Sequence, residues 1–238
     1  ADHRHGSEAA PMTTAAQVKK MVQPVLARHP DLALVGRWIY VKPVHHFARA
    51  VLIGRTAYAE EFEPQWAVIH LFQARKTFSL NWGEFLANER SRRQGLWFMS
   101  DPDVELSLIE AIEQQALPKL RAIKTLDDYL AFVARHMFGP KLFEWPHCKI
   151  IVDVALGDLE SARSICKENV PRWSVDQPDF DEDGKAKYRR LRELCAKLAE
   201  DDRAGLARLL HEWEAYTVKN FKIEHLWEPT PFPLELAG

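Results

Sequence analysis

The amino-acid sequence predicts an α+β fold, in which an N-terminal helix packs on an antiparallel sheet of three to five strands and a mostly helical half follows. Strand-type patterns are confined to residues 32–99, and capped helical patterns fill residues 100–227. Successive strands joined by short links, with no helix between them, favour antiparallel pairing. We therefore expect a head of residues 13–99 and a helical extension of residues 100–227 to pack together as one composite domain. Residues 1–12 are expected to be a disordered arm or the remnant of a tag, and residues 228–238 a Pro-rich tail.

The head is predicted from a change of hydrophobic period. Thr14 and Gln17 have the spacing of a capping box, and apolar residues then recur at helical intervals until His29-Pro30. Strands are expected where β-branched and aromatic residues replace that period. These segments are residues 32–41, 47–56 and 66–72, with shorter strands at 78–82 and 95–99.

The C-terminal half shows a succession of helix signals. Ser100, Thr125 and Asp158 each stand where a side-chain N-cap is expected, directly before an apolar helical pattern. The first of these helices is predicted to stop at Pro118. Residues 228–238 hold three prolines, so no helix is predicted there.

Composition places the chain among ordinary globular proteins. Hydrophobic residues make up 47% and charged residues 28%, and no apolar run approaches the roughly 18–20 residues that cross a bilayer. The net charge of -2 conceals an asymmetry, because residues 1–100 carry 13 basic against 8 acidic residues and residues 101–238 carry 19 against 26. Attraction between the two halves is the simplest interpretation, and neither a membrane nor a nucleic-acid partner is indicated.

The cysteines and the polar N-terminus bear on localisation. Residues 1–12 contain no apolar core of a secretory signal. Cys148, Cys166 and Cys195 are odd in number and widely spaced, and two of them fall within apolar helical patterns. We therefore expect three free thiols and a cytoplasmic protein.

Histidines and arginines near the predicted sheet supply the candidate site. Imidazole transfers protons near neutral pH, and guanidinium binds carboxylate or phosphate through two parallel hydrogen bonds. The candidate catalytic residues are His45, His46 and His70. The candidate binding residues are Arg37, Arg49 and Arg55. The competing interpretation is a solvated face of the sheet on which these side chains do not converge.

One acidic turn has the form of a calcium loop. Asp179, Asp181 and Asp183 would supply carboxylates at the first, third and fifth positions, followed by Gly184. The twelfth position is Arg190, which cannot coordinate a cation. We therefore predict no metal and interpret the turn as a charged start to the next helix. No cofactor is predicted, because no phosphate-binding loop or dinucleotide fingerprint occurs.

Two further groupings involve residues that bind anions or attack electrophiles. His147-Cys148, with Asp153, suggests a Cys–His nucleophile, but adjacency in sequence does not identify such a pair, and a polar first helical turn is the simpler interpretation. Arg75-Lys76, with the basic run that begins at Arg90, would form a phosphate-binding edge if the loops met. Solvated loops are the commoner outcome.

Three segments carry a resemblance to a known group of proteins. They are GRWIYVKP at residues 36–43, the helix start at Asp101-Pro102, and ALGDLESAR at residues 155–163. Together they resemble uncharacterised bacterial proteins grouped as a domain of unknown function, over residues 12–226. The resemblance implies an α+β head with a helical-hairpin extension, and it implies no catalytic residue.

We therefore expect a bacterial, non-catalytic binding or interaction module, for example of toxin-immunity or regulatory type. Its partner would be a protein or a small anionic ligand. The alternative is a small enzyme that acts on an anionic substrate through the histidines and arginines near the sheet. No nucleophile elbow, phosphate loop or metalloprotease motif supports the enzyme.

Overall fold

The computed structural model describes residues 14–58, 60–78, 82–91, 95–136, 145–173 and 182–236. Its class is the predicted one, with an N-terminal helix, an open antiparallel sheet and a mostly helical C-terminal half. The chain forms two compact units, and it passes between them more than once. Their described residues come from 14–44, 48–69 and 82–129 in the first unit, and from 45–47, 70–78 and 130–236 in the second.

Helix α1 (Ala15–Arg28) opens the first unit. The Gln17 backbone N–H donates to Thr14 Oγ1, and the Thr14 N–H donates to Gln17 Oε1, so the predicted capping box is confirmed. One stripe of the helix is buried, and it comprises Val18, Met21, Val22 and Val25. The reciprocal cap satisfies two backbone donors that a helix start otherwise leaves without partners.

The sheet has six strands in the order β1-β2-β3-β4-β5, with β6 pairing on β4. Every pair whose register is described is antiparallel. The strands are β1 (Leu32–Val35), β2 (Trp38–Val41), β3 (Phe47–Arg55), β4 (Glu61–His70), β5 (Gly83–Phe85) and β6 (Trp97–Phe98).

Two strand boundaries differ from the prediction. Residues 32–41 form a hairpin rather than one strand, because Gly36 turns the chain in the left-handed region (φ 64°) and Val35 pairs with Trp38. Strand β4 begins five residues earlier than expected, because charged residues alternate with the buried Phe62 and dilute its apolar pattern. The strand predicted at 78–82 falls partly on residues outside those described.

The helices of the first unit correct two predictions. Asp103, not Ser100, precedes α2 (Val104–Ala111). The helical path also continues past Pro118, through a π-helical turn (Ile112–Ala116) into α3 (Leu117–Ala122). The wider turn resets the hydrogen bonding, so that Pro118 lies in the first turn of α3, where its missing N–H costs little.

Five helices form most of the described second unit, and α4 (Leu126–Arg135) runs from the first unit into it. The predicted caps at Asp158 and Thr125 are confirmed, since their side chains accept from the backbone N–H of Ser161 and Asp128. The prediction of no helix in the tail is wrong, because Pro233 occupies the first position of a helical turn, where proline is tolerated. The five helices are α5 (Pro146–Leu156), α6 (Leu159–Asn169), α7 (Glu182–Ala199), α8 (Arg203–Phe221) and α9 (Pro233–Leu236).

A disulfide joins Cys166 on α6 to Cys195 on α7. The prediction of three free thiols is therefore wrong for this pair, because helices α6 and α7 bring residues 29 positions apart within bonding distance. Cys148 is a free and buried thiol. Among the described helices, none combines the length and the apolar composition needed to span a bilayer.

Candidate anion-binding site

The three candidate arginines lie in the first unit, and two of them bind backbone carbonyls. Arg49 is 8% exposed, and its guanidinium donates to the carbonyl oxygens of Ile123 (3.0 Å) and Pro43 (2.9 Å). Arg37 donates to the carbonyl of Ile53 (3.3 Å) in the neighbouring strand, and Arg55 is exposed at the end of β3. Burial lowers the pKa of Arg49. These contacts give Arg37 and Arg49 structural partners, and their role in ligand binding stays a prediction.

The candidate histidines lie in the second unit, where two of them hold the C-terminal segment, residues 228–236. His45 Nδ1 lies 2.8 Å from the carbonyl oxygen of Glu228 and can donate to it. His46 Nδ1 lies 2.8 Å from Oε1 of the fully buried Glu214, and its Nε2 lies 3.2 Å from Thr230 Oγ1. Nε2 is also 3.3 Å from the carbonyl of Pro231.

The order Glu214–His46–Thr230 is that of a carboxylate, an imidazole and a hydroxyl, as in hydrolytic triads. The His46 ring, however, also stacks on Phe232 with 4.0 Å between ring centroids. Nε2 and one ring face thus hold residues 230–232, while Nδ1 is engaged by Glu214. The arrangement works as an attachment point for the C-terminal segment.

The third candidate, His70, belongs to a different group of side chains, which we call the basic cluster. His70 ends β4, and Gln73 and Arg75 follow it in the chain. His147 and Cys148 stand in the first turn of α5, and Lys187 stands on α7. The basic cluster comprises His70, Gln73, Arg75, His147, Cys148 and Lys187, all within the second unit.

Hydrogen bonds order one side of the basic cluster. His70 Nε2 lies 2.8 Å from Gln73 Oε1 and 3.2 Å from Arg75 Nη2, and the Arg75 guanidinium also donates to Gln73 Oε1. The Gln73 amide lies 3.9 Å from the sulfur of Cys148. The Arg75 backbone N–H donates to Thr217 Oγ1 on α8 at 2.9 Å, which fixes the loop.

Burial shifts the pKa values of four groups in the basic cluster toward their uncharged forms. Burial, together with the charge of Arg75, lowers the pKa of His70 to about 3. Burial also lowers the pKa of His147 to about 4, assisted by the charges of Lys187 and Arg75. Burial raises the pKa of the Cys148 thiol and lowers that of Lys187. At neutral pH both imidazoles and the thiol are therefore uncharged, and the charge of the cluster is positive.

In the described part of the chain, Lys187 has no counterion and His147 has no hydrogen-bond partner. Lys187 and His147 are half-buried, and neither makes a hydrogen bond or an ion pair with another described residue. The groups whose charges act on His147 are Lys187 and Arg75, and those that act on Lys187 are Cys148 and Arg75. No described carboxylate is among them. The N-terminus of α5 adds the positive end of a helix dipole. The basic cluster is therefore an electropositive site in which Lys187 and His147 contact no described carboxylate.

The other sequence hypotheses have different outcomes. Asp153 does not join His147-Cys148, because its Oδ2 accepts from Lys149 Nζ and from Ser161 Oγ, each at 2.6 Å. Among the candidate calcium ligands, Asp179 and Asp181 lie outside the described residues, and Asp183 pairs with Lys76. The described residues contain no group of three side chains able to hold a metal ion.

The sequence pointed to parts of the basic cluster without joining them. Arg75 was a candidate phosphate-binding residue in a loop, and His147-Cys148 a candidate reactive pair. Lys187 was missed, because a lysine on an amphipathic helix resembles any solvated residue. No local pattern indicates that residues 75, 147 and 187 meet.

Comparisons with protein-family models, curated proteins and solved structures give no match to this chain, as expected for a family without a recognised domain.

Proposed function

We propose that the protein is a non-catalytic binding module and that its basic cluster holds a small anion. The observation that carries the proposal is the pair Lys187 and His147, half-buried beside Arg75 and without a described hydrogen-bond or ion-pair partner. Removing positive charge from water costs free energy unless a partner compensates it. A bound anion would supply that partner.

The donors suit an oxyanion, such as a phosphate, sulfate or carboxylate group. Guanidinium offers a planar set of N–H donors, and ammonium offers a compact charge that rotates to suit its ligand. Backbone N–H groups at the start of α5 extend the same positive potential. An imidazole that becomes protonated when the anion arrives would add a further charged donor.

The chemistry of the neighbouring groups supports binding over catalysis. A buried thiol with a raised pKa, such as Cys148, is mostly protonated at neutral pH and is a weak nucleophile. Burial lowers the pKa of His70 to about 3, so its neutral imidazole is a weak base and a poor proton acceptor for a reaction. The enzyme alternative includes His46 among its catalytic residues, and this imidazole already holds the C-terminal segment and pairs with Glu214.

The test is titration calorimetry of the full chain with inorganic phosphate and with sulfate. Lys187→Met is expected to weaken binding at least about tenfold, which corresponds to about 1.4 kcal/mol. Lys185→Met is the matched control, because Lys185 lies on the same helix and pairs with Glu182 at 3.1 Å. Its affinity should equal that of the wild type.

Two results would overturn the proposal. One is the absence of saturable binding of either ion at concentrations up to about 10 mM. The other is equal affinity in the wild type and in Lys187→Met, with both proteins shown to be folded by circular dichroism.

A further inference from the structure

An exposed tryptophan stands beside the basic cluster. Trp145 is 53% exposed, whereas the other seven tryptophans are buried or half-buried. Its position is set by the start of α5, because its carbonyl accepts from the N–H groups of Cys148 (2.9 Å) and Lys149 (3.1 Å). The exposure of Trp145 is therefore a feature of an ordered helix start.

The Trp145 indole is tied directly to a member of the basic cluster. Its ring stacks on the imidazole of His147, with 5.7 Å between ring centroids and 22° between ring planes. More than half of the Trp145 residue surface remains accessible beyond this contact. An accessible aromatic ring next to a cationic site offers stacking area to the flat part of a ligand whose charge the cations hold.

We propose that the anion held by the basic cluster is carried on a planar ring and that Trp145 stacks against that ring. The inference rests on the proposed function, since it assigns the remainder of the same ligand. A nucleoside phosphate and an aromatic carboxylate share this chemistry. In both, an oxyanion sits a short distance from a flat unsaturated ring.

Stacking on an indole depends on the flat face of the ring and little on its substituents. Lys187 and Arg75 would therefore set the affinity for the charged group, while Trp145 would set the preference for ring-bearing over ring-less anions. The two contributions can be separated by mutation, because Trp145 and Lys187 belong to different elements.

The experiment compares matched ligand pairs by titration calorimetry on the full chain. Adenosine 5′-monophosphate is paired with ribose 5-phosphate, and benzoate is paired with acetate. The wild type is expected to bind at least one ring-bearing member about tenfold more tightly than its ring-less counterpart. Selectivity in the first pair alone identifies a nucleotide as the ligand, and selectivity in the benzoate pair identifies an aromatic carboxylate.

Variants of Trp145 supply the decisive comparison. Trp145→Leu is expected to bring the ratio in the selective pair close to one, with little change for the ring-less ligand. Trp145→Phe keeps a smaller ring and should keep part of the ratio, which guards against a folding defect in the leucine variant. Phe85→Leu is the control, because Phe85 is 65% exposed and belongs to the first unit, and its ratio should match the wild type.

The failure of this inference is distinct from the failure of the proposed function. The inference is overturned if ribose 5-phosphate binds and Lys187→Met weakens it, yet neither pair shows ring selectivity. It is also overturned if Trp145→Leu retains the wild-type ratio. Absence of binding by every ligand, or insensitivity of every affinity to Lys187→Met, would overturn the proposed function itself.

Discussion

Histidines of the second unit show how neighbouring charge decides the protonation of one residue type. His70 and His147 lie beside cations, and burial together with those charges holds their pKa values at about 3 and about 4. His211 lies between two carboxylates, with Nδ1 3.4 Å from Glu214 Oε2 and Nε2 2.9 Å from Glu235 Oε2. The hydrogen bond to Glu214, followed by Glu235, raises the pKa of His211. The two kinds of shift lead to separate predictions, one for stability and one for anion binding.

The raised pKa of His211 predicts a stabilising interaction that is strongest in mild acid. The pKa of His211 in the folded state is higher than its unfolded value of about 6.5. Its contribution to stability is therefore complete at pH values below 6.5, and it is lost as the pH rises through the folded-state pKa. His211→Gln is therefore expected to lower the unfolding free energy by about 1 kcal/mol near about pH 6 and by less near about pH 9. Urea unfolding at both pH values measures the difference. The exposed His225 supplies the control variant His225→Gln, and a loss for His211→Gln that is constant with pH would contradict the assignment.

The lowered pKa of His147 predicts that anion binding takes up a proton. In the free protein the imidazole is neutral above about pH 4, and a bound anion would favour its charged form. Sulfate affinity is therefore expected to rise as pH falls from about 7 to about 5, since sulfate itself keeps its charge in that range. His147→Gln should flatten this dependence while leaving the affinity near neutral pH little changed. Calorimetry in buffers of different ionisation enthalpy would report proton uptake directly, and equal slopes for wild type and variant would argue against the linkage.

Among the secondary-structure elements, α6 and α7 are joined covalently as well as by packing. The Cys166–Cys195 disulfide closes a loop between residues that are 29 positions apart in the sequence. In the chain-entropy description, such a loop restricts the unfolded state and stabilises the fold by about 3.6 kcal/mol. Both partners also lie on buried helix faces.

Reduction is therefore expected to lower the unfolding free energy by about 2–4 kcal/mol. Urea unfolding with and without a dithiol reductant measures the loss. Cys166→Ser should no longer respond to reductant, whereas Cys148→Ser should respond like the wild type, because Cys148 is a free thiol. Three reactive thiols in the denatured, unreduced wild type would show that the disulfide is absent. The predicted cytoplasmic localisation would be favoured by that result, since disulfides persist mainly in oxidising compartments.

The elements were predictable where local chemistry determines them. The capping box at Thr14, the cap at Asp158 and the helix end at His29-Pro30 all act through neighbours in sequence. Predictions failed where the outcome depended on distant contacts. The disulfide is such a case, whereas the hairpin around Gly36 is a local turn within a segment predicted as one strand.

For the molecule as a whole, the sequence does not predict which segments of the chain belong to which unit. Residues 45–47 and 70–78 belong to the second unit although strands of the first unit flank them. His46 and Arg75 are consequently assembled with helices more than 70 residues away, such as α8, which bears Glu214 and Thr217. Local patterns contain no information on such long-range assembly, so the candidate catalytic histidines were identified without their partners.

The C-terminal segment illustrates the same long-range assembly and gives the last prediction. Phe232 is fully buried, and its ring packs against three rings from different parts of the chain. The distances between ring centroids are 4.0 Å to His46, 5.5 Å to Phe72 and 4.8 Å to His211. Truncation of a buried phenylalanine leaves a cavity that costs about 3–5 kcal/mol.

Phe232→Ala is therefore expected to lower the unfolding free energy by about 3–5 kcal/mol, measured by urea unfolding with circular dichroism. Leu236→Ala is the matched control in the same segment, since Leu236 is 73% exposed and its loss should change stability by no more than about 0.5 kcal/mol. If both variants were equally stable, the C-terminal segment would not be part of the core of the second unit. The attachment role assigned to His46 would then be wrong as well, because Phe232 is the residue on which its ring stacks.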